Sequence, residues 1–316
     1  MMEEFPDVAR NCERVLATAG FPCEVRMLPG GVSLRPKNDA PTIDLSILDG
    51  LPIKELDLSN ARIGDLSPLR GLRLTSLKLC GVPVEDLEPL AGLPLRDLDL
   101  AFTSVVNLAA LESVPLERLI LRNVKVANLE PIEKAAIGEL DLALTPVESL
   151  LSLRQMPLRI LNLFKVAVED IGSLRGLELE ELHLSGTLVK SLRPLRGMPL
   201  RNISLRATEV SDLSPLEGCP LNTIRLSGSA VSDLSPLIDS PVESLWVAGL
   251  ELADYSPLAH MPLRHLVVTV SHLDPAAQAI VRSFDQLETL GEAGDDEDQT
   301  PEVFWQRFDD GEYAIP

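Results

Sequence analysis

The chain has 316 residues, 45% of them hydrophobic but only 3% aromatic, so its core has to be built from aliphatic side chains. A net charge of −20 sets it against phosphate backbones and disfavours nucleic acid as a partner. No apolar run approaches the roughly 18 residues of a membrane-spanning helix, and none is expected.

The opening stretch MMEEFPDVAR lacks the apolar segment of a secretion signal, so a cytoplasmic setting is expected. Residues 6–19 place Val8, Cys12, Val15 and Leu16 on one face with Gly20 as a stop, which predicts a helix. FPCEVRMLPGGVSLRP then reads as a hairpin turning at Pro29-Gly30-Gly31. Ile43 to Gly50 is a lone return phrase leading into a long repeat. Residues 1–41 are thus expected to cap one end, 42–273 to form the repeat array, and 274–316 to cap the other end.

From Leu51 to His260 a 21-residue period holds through ten units without insertion, and an eleventh fades near Asp274. In the first unit Ile53, Leu56, Leu58, Ile63, Leu66 and Leu69 should point inward. Stepped through the ten units, these columns are Leu, Ile or Val everywhere except Tyr255. The spacing switches to period 2 at Leu56-Asp57-Leu58, which marks a short strand rather than an amphipathic helix. The residue opening the return segment is Asp, Asn or Ser in every unit, for example Asp65, Asn107, Ser149 and Asp212, and each can cap a helical turn. Pro68, Pro89, Pro131, Pro194, Pro215, Pro236 and Pro257 follow in the first turn, where a missing N–H does no harm. Most units then stop at Gly, as at Gly71, Gly92, Gly176, Gly197 and Gly218. One such unit cannot bury its apolar face alone, which is why units of this kind stack.

The unit resembles a leucine-rich repeat. Its return phrase Asp212-Leu213-Ser214-Pro215-Leu216 is similar to that of internalin-type bacterial repeats, one residue shorter per unit, and closer still to the repeat tails of some bacterial serine/threonine kinases. The resemblance covers about 42–273. It implies an α/β leucine-rich-repeat solenoid, a horseshoe or arc with a concave parallel sheet and short convex turns. It also implies a general binding scaffold with a protein partner. Two departures stand out. The family's usual first-turn Asn is replaced by Ala61, Val82, Thr103, Val124, Thr145, Val166, Thr187, Thr208, Ser229 and Leu250, so no buried Asn ladder can form. No kinase motif accompanies the repeats.

Asp274-Pro275 predicts a helix to about Phe284. From Asp285 onward eleven acids face the single base Arg307, and residues 291–301 are expected to be mobile. Phe304, Trp305 and Phe308 either fold back to seal the last repeat or form an acidic-aromatic docking peptide. Proteins with the resembling repeat tails often close with a similar Phe-Trp segment, which favours the seal.

Chemistry is hard to place. If the units stack at about 4.8 Å, Cys80 and Cys219 stand roughly 30 Å apart, out of disulfide reach, and free thiols are expected. No Cys or second His has ligand spacing to His183, His260, His265 or His272, and no nucleophile has a visible base, so no metal, cofactor or enzymatic activity is expected. The acid pairs Glu55/Asp57, Asp97/Asp99 and Glu139/Asp141 should be neutralised by Lys78, Arg118 and Arg122 in the intervening units. The best partner-binding candidate is units three to six. They lose the terminal Gly at Ser113, Lys134 and Gln155 and the return Pro at Ala110, Ser152 and Ser173. They also gain Phe102, Ile120, Leu144, Ile160 and Phe164 on the strand side or its rim, edged by Arg118, Arg122, Asp99 and Asp141. Trp246 is a separate, isolated candidate. The expected function is a monomeric, non-enzymatic scaffold. The alternative is a regulatory or targeting subunit that acts on a separately encoded enzyme through the acidic aromatic tail.

Overall fold

The 21-residue period becomes a coil of one short strand and one 3₁₀ return turn per unit. It is seen here in a computed structural model that describes residues 5–18, 20, 22–37, 44–292 and 299–313. The chain divides into two compact units, Met1–Glu148 with Gln155–Leu158, and Ser149–Arg154 with Arg159–Pro316.

In the first unit, helix α1 (Phe5–Thr18) packs on strand β1 (Cys23–Leu28), which forms an antiparallel hairpin with β2 (Gly31–Pro36). The hairpin turns at Pro29-Gly30, so Gly31 already belongs to the second strand. Cys12 and Leu16 of α1 are buried, but Val15, expected on the same face, is exposed, and the side chain of Val8 lies outside the described residues. Asp44 accepts from the Ser46 N–H to start the lone return turn Leu45–Leu48, while Ile43 lies outside the described residues. Strands β3 (Ile53–Asp57), β4 (Ser76–Lys78), β5 (Asp97–Asp99), β6 (Arg118–Ile120) and β7 (Glu139–Asp141) follow in parallel, neighbours within this set pairing in register at an offset of 21 residues.

In the second unit β8 (Ile160–Asn162), β9 (Glu181–His183), β10 (Asn202–Ser204), β11 (Thr223–Arg225), β12 (Ser244–Trp246) and β13 (His265–Val268) pair the same way. Helix α2 (Pro275–Arg282) begins where Asp274 accepts from the Ala277 N–H, as the Asp-Pro pair predicts. Strand β14 (Thr289–Glu292) then adds to β13 in parallel, and helix α3 (Pro301–Asp309) packs against it. Gly291 and Glu292, expected in a mobile stretch, are therefore strand, while 293–298 lie outside the described residues.

The aliphatic columns fill the inside of the coil. Of the expected inward positions only Ile63, Val84 and Leu252 are not buried. All three stand where the chain turns back, at or next to the ends of the repeat run. The return corners work as the sequence implies. In every unit from Asp65 to Asp254 the opening Asp, Asn or Ser side chain accepts the N–H two residues on. The turn itself starts one residue later, at the following Leu, Ile or Tyr. In place of an Asn ladder, Thr103, Thr145, Thr187 and Thr208 are buried and donate their hydroxyls to the carbonyls of Leu100, Leu142, Leu184 and Leu205 at 2.6–2.7 Å.

Candidate functional site

Each of the ten repeat strands runs into a four-residue turn, closed in nine of them by the N–H of its last residue on the carbonyl of its first, as in Ala61 N–H to Leu58 O, 2.9 Å. The third residue of that turn has positive φ in all ten units. Gly or Asn suits this state, and both occur there, at Asn60, Gly81, Asn123, Gly186, Gly228 and Gly249. Two exceptions fall among the candidate residues. Phe102 has φ 58° and is 51% exposed, and Leu144 has φ 61° and is 39% exposed. A bulky side chain in the left-handed region is strained and uncommon. Both residues are legible in the sequence as apolar and rim-placed, but their backbone state is not. The recurrence of Gly and Asn at the same phase in six units was the signal for it.

The rest of the first unit's candidate set is less open. Ile120 is 8% exposed, flanked along its strand by Arg118 and Arg122, and Asp141 is 9% exposed, contrary to the open column expected. Arg122 donates twice to Asp141 Oδ2, at 2.9 and 3.2 Å, and Asp141 Oδ1 accepts from the Ala143 N–H. Arg118 bridges Asp97 at 3.0 Å and Glu139 at 2.9 Å. Burial works against the Arg118 charge, but its hydrogen bonds to the two carboxylates outweigh burial and hold its pKa above the ordinary value. Asp99 accepts from the Ala101 N–H. The expected charge ladder therefore holds at Arg118 and Arg122. Lys78 makes no ion pair among the described residues, and Asp57 pairs instead with Arg35, at 3.8 Å.

In the second unit Ile160 and Phe164 are half-buried, and Lys165 sits 5.2 Å from the Phe164 ring centroid. Trp246 is half-buried beneath the Arg225 guanidinium, 4.2 Å from its ring centroid. Two aromatic residues of the C-terminal segment turn inward, while Phe308 and Tyr313 are half-buried. Phe304 is fully buried and Trp305 is 9% exposed. Arg282 lies 3.9 Å from the Trp305 ring centroid and pairs with Asp309 at 2.6 Å.

The reactive groups are quiet. Cys12, Cys23, Cys80 and Cys219 are free thiols, and burial raises the pKa of each, that of Cys23 to about 12. His183 contacts Glu181 at 2.6 Å, and no group of three or more His, Cys, Asp or Glu side chains among the described residues is arranged to hold a metal ion. No helix among them is long and apolar enough to cross a membrane.

No protein-family model matches the chain, and no curated protein matches its sequence. Solved structures do. An internalin of Listeria monocytogenes, InlF, superposes with a TM-score of 0.66 at 18% identity over 80% of this chain and 71% of its own. A second, internalin C2 of the same organism, gives 0.51 at 26% identity over 52% of this chain and 77% of its own. Together with the 21-residue strand-and-turn coil, these neighbours show the fold of the chain, a leucine-rich-repeat solenoid similar to those of the two internalins.

Proposed function

We propose that the chain is a non-enzymatic scaffold that binds a protein partner on the strand side of its repeats. The observation that supports this best is the pair Phe102 and Leu144. Both are large, apolar and exposed, and both occupy a backbone state that disfavours them. Strain kept at an exposed position points to a use outside the fold. Arg122 and Asp141, already paired, would edge the contact, whereas Ile120 is closed off. In the second unit Ile160 and Phe164, and separately Trp246, are proposed as contacts in their own right. Residues 1–41 and 274–316 act as end caps in this reading. Free thiols fit a reducing, cytoplasmic setting. The alternative, docking of a separate enzyme by the aromatic tail, loses its anchors because Phe304 and Trp305 are inside.

The test is photo-crosslinking in the native cell, with benzoylphenylalanine placed at 102, at 144 and at 151. Leu151 is equally apolar and 66% exposed, but lies on a return turn. A single protein captured from 102 and 144 and absent from 151 is the expected result. Equal capture from all three positions, or from none, removes the reading.

A further inference from the structure

Asp99 stands apart from its sister acids on the strand face of the first unit. Asp97 and Glu139 share Arg118, Asp141 holds Arg122, and Asp57 meets Arg35 at 3.8 Å. Asp99 accepts the Ala101 N–H on Oδ1 at 2.9 Å and makes no ion pair among the described residues. Lys78, its neighbour in register, is exposed and pairs with no carboxylate among them. Glu55 also has no cation among them, but lies two repeats away from Phe102.

Register explains the difference. A residue just past one strand meets the residue 19 positions later on the next strand. Arg122 reaches Asp141 this way, and in the second unit the hydroxyls of Ser185 and Ser204 meet at 2.6 Å. The same offset gives Asp99 the thiol of Cys80 in place of a guanidinium. Cys80 is half-buried, and burial, then the Asp99 and Asp57 charges, raise its pKa. Three residues past Asp99 comes Phe102, exposed on the rim. The Phe102 N–H donates to Arg122 O and the Asn123 N–H to Ala143 O, which stacks the turns that carry Phe102, Asn123 and Leu144. At about 4.8 Å per repeat, Phe102 and Leu144 stand roughly 10 Å apart.

We propose that Asp99, Phe102 and Leu144 receive a basic, apolar segment of the protein partner, in which an Arg or Lys pairs with Asp99 and a neighbouring apolar side chain covers Phe102 and Leu144. The proposal rests on the scaffold reading and names the chemistry of its partner. The incoming cation does for Asp99 what Arg122 does for Asp141, a charge-assisted hydrogen bond on the second carboxylate oxygen. Charge selects the same occupant. The strand face of the first unit sets Glu55, Asp57, Asp97, Asp99, Glu139 and Asp141 against Lys78, Arg118 and Arg122, and the whole chain carries −20. That field draws in a basic segment and repels a second copy of the chain.

The experiment selects random twelve-residue peptides displayed on phage against the full chain and titrates synthetic copies by calorimetry. Peptides that join Arg or Lys to an aromatic residue or Leu are the expected pool. Asp99→Asn removes the charge and keeps the acceptor for the Ala101 N–H, just as Asn162 accepts the Phe164 N–H at 3.0 Å in the second unit. Cys80→Arg supplies the cation from within, at the phase of Arg122. Both variants should keep the wild-type circular dichroism and bind the peptides at least about tenfold more weakly, and wild-type binding should weaken as salt rises. Phe102→Gly should weaken binding as well. Peptides that need Phe102 but carry no basic residue, or that bind Asp99→Asn as tightly as wild type, overturn the inference and leave the scaffold reading standing. A pool indifferent to Phe102→Gly, or no enrichment at all, removes both. Self-association of the chain in sedimentation, lost in Phe102→Gly, gives the face to a second copy and also overturns the inference.

Discussion

Phe102 shows what one residue can carry and what a sequence hides. Its apolar character and rim position were legible, because the 21-residue phase places it three residues past the end of β5. Its φ of 58° was not, because a Phe gives no backbone signal of its own and only the Gly and Asn of its sister units do. The left-handed state costs a non-glycine residue roughly 1–2 kcal/mol. Glycine removes that cost but returns roughly 0.5–1 kcal/mol of unfolded-state entropy. Phe102→Gly should therefore leave the stability from urea unfolding unchanged or raise it by about 1 kcal/mol, while crosslinking or partner binding through this position is lost. A loss of more than about 1 kcal/mol would mean that the ring packs for the fold rather than for a partner. The threonines make the converse point. Loss of the family's Asn was visible in the sequence, but not that Thr103, Thr145, Thr187 and Thr208 would satisfy the same turn through a hydroxyl on the carbonyl three residues back.

At the scale of the return corner, the loss of glycine in the middle units has a structural account. Where Gly71, Gly92, Gly176, Gly197 or Gly218 stands, the residue before it has ψ near 127° and the glycine has φ of 73–83°. Where Ser113, Lys134, Gln155 or Asp239 stands instead, the preceding residue is right-handed helical, with ψ between −26° and −39°. The corner switches from the turn that needs glycine to one that does not, so these units are not broken. Gly71→Ser should thus cost roughly 1–2 kcal/mol in urea unfolding, and Ser113→Gly less than about 1 kcal/mol. Equal costs would contradict the turn assignment. The polar opener of each corner was fully legible, since Asp, Asn and Ser are the residues whose side chains reach an N–H two positions on. Asn107→Ala should remove the bond to the Ala109 N–H at a cost of about 0.5–2 kcal/mol. The acidic openers add a pH dependence. Hydrogen bonds from the backbone N–H and hydroxyl of Ser67 hold the Asp65 carboxyl below its usual pKa, and the hydroxyls and N–H groups of Ser214 and Ser256 do the same for Asp212 and Asp254. A depressed folded pKa gives stability that is present above the unfolded value near 3.9 and lost as pH falls through the folded one. The urea midpoint should therefore fall at acid pH, below about pH 4, and replacing the three Asp by Asn should flatten that fall.

Over the whole chain, stacked repeats hold one another up, so damage spreads to neighbours and the ends need closing. Leu140 is fully buried and paired in register with Leu119. Leu140→Asp places an unpaired charge there at roughly 3–5 kcal/mol, and amide protection should be lost from β5 and β6 together with β7. A melt within a degree of wild type would refute the inward column. The array was legible because ten exact repeats leave little choice of phase. The closing strand was not, because Thr289-Leu290-Gly291-Glu292 carries a single aliphatic residue and no repeat phrase, and only the open edge of β13 makes a strand of it. That edge is the reason the C-terminal segment matters. Helix α3 lies against β14, Phe304 is fully buried, and Arg282 of α2 is clasped between the Trp305 ring and Asp309. Ending the chain after Glu292 would uncover Leu290 and leave β14 as a bare edge, an unstable state for a solenoid end. The truncated chain should melt several degrees lower, and proteolysis should begin in β13 and β14 while the first unit keeps its amide protection. A truncation that melts like the full chain would show that α3 seals nothing and would return Trp305 and Phe308 to the set of possible partner contacts.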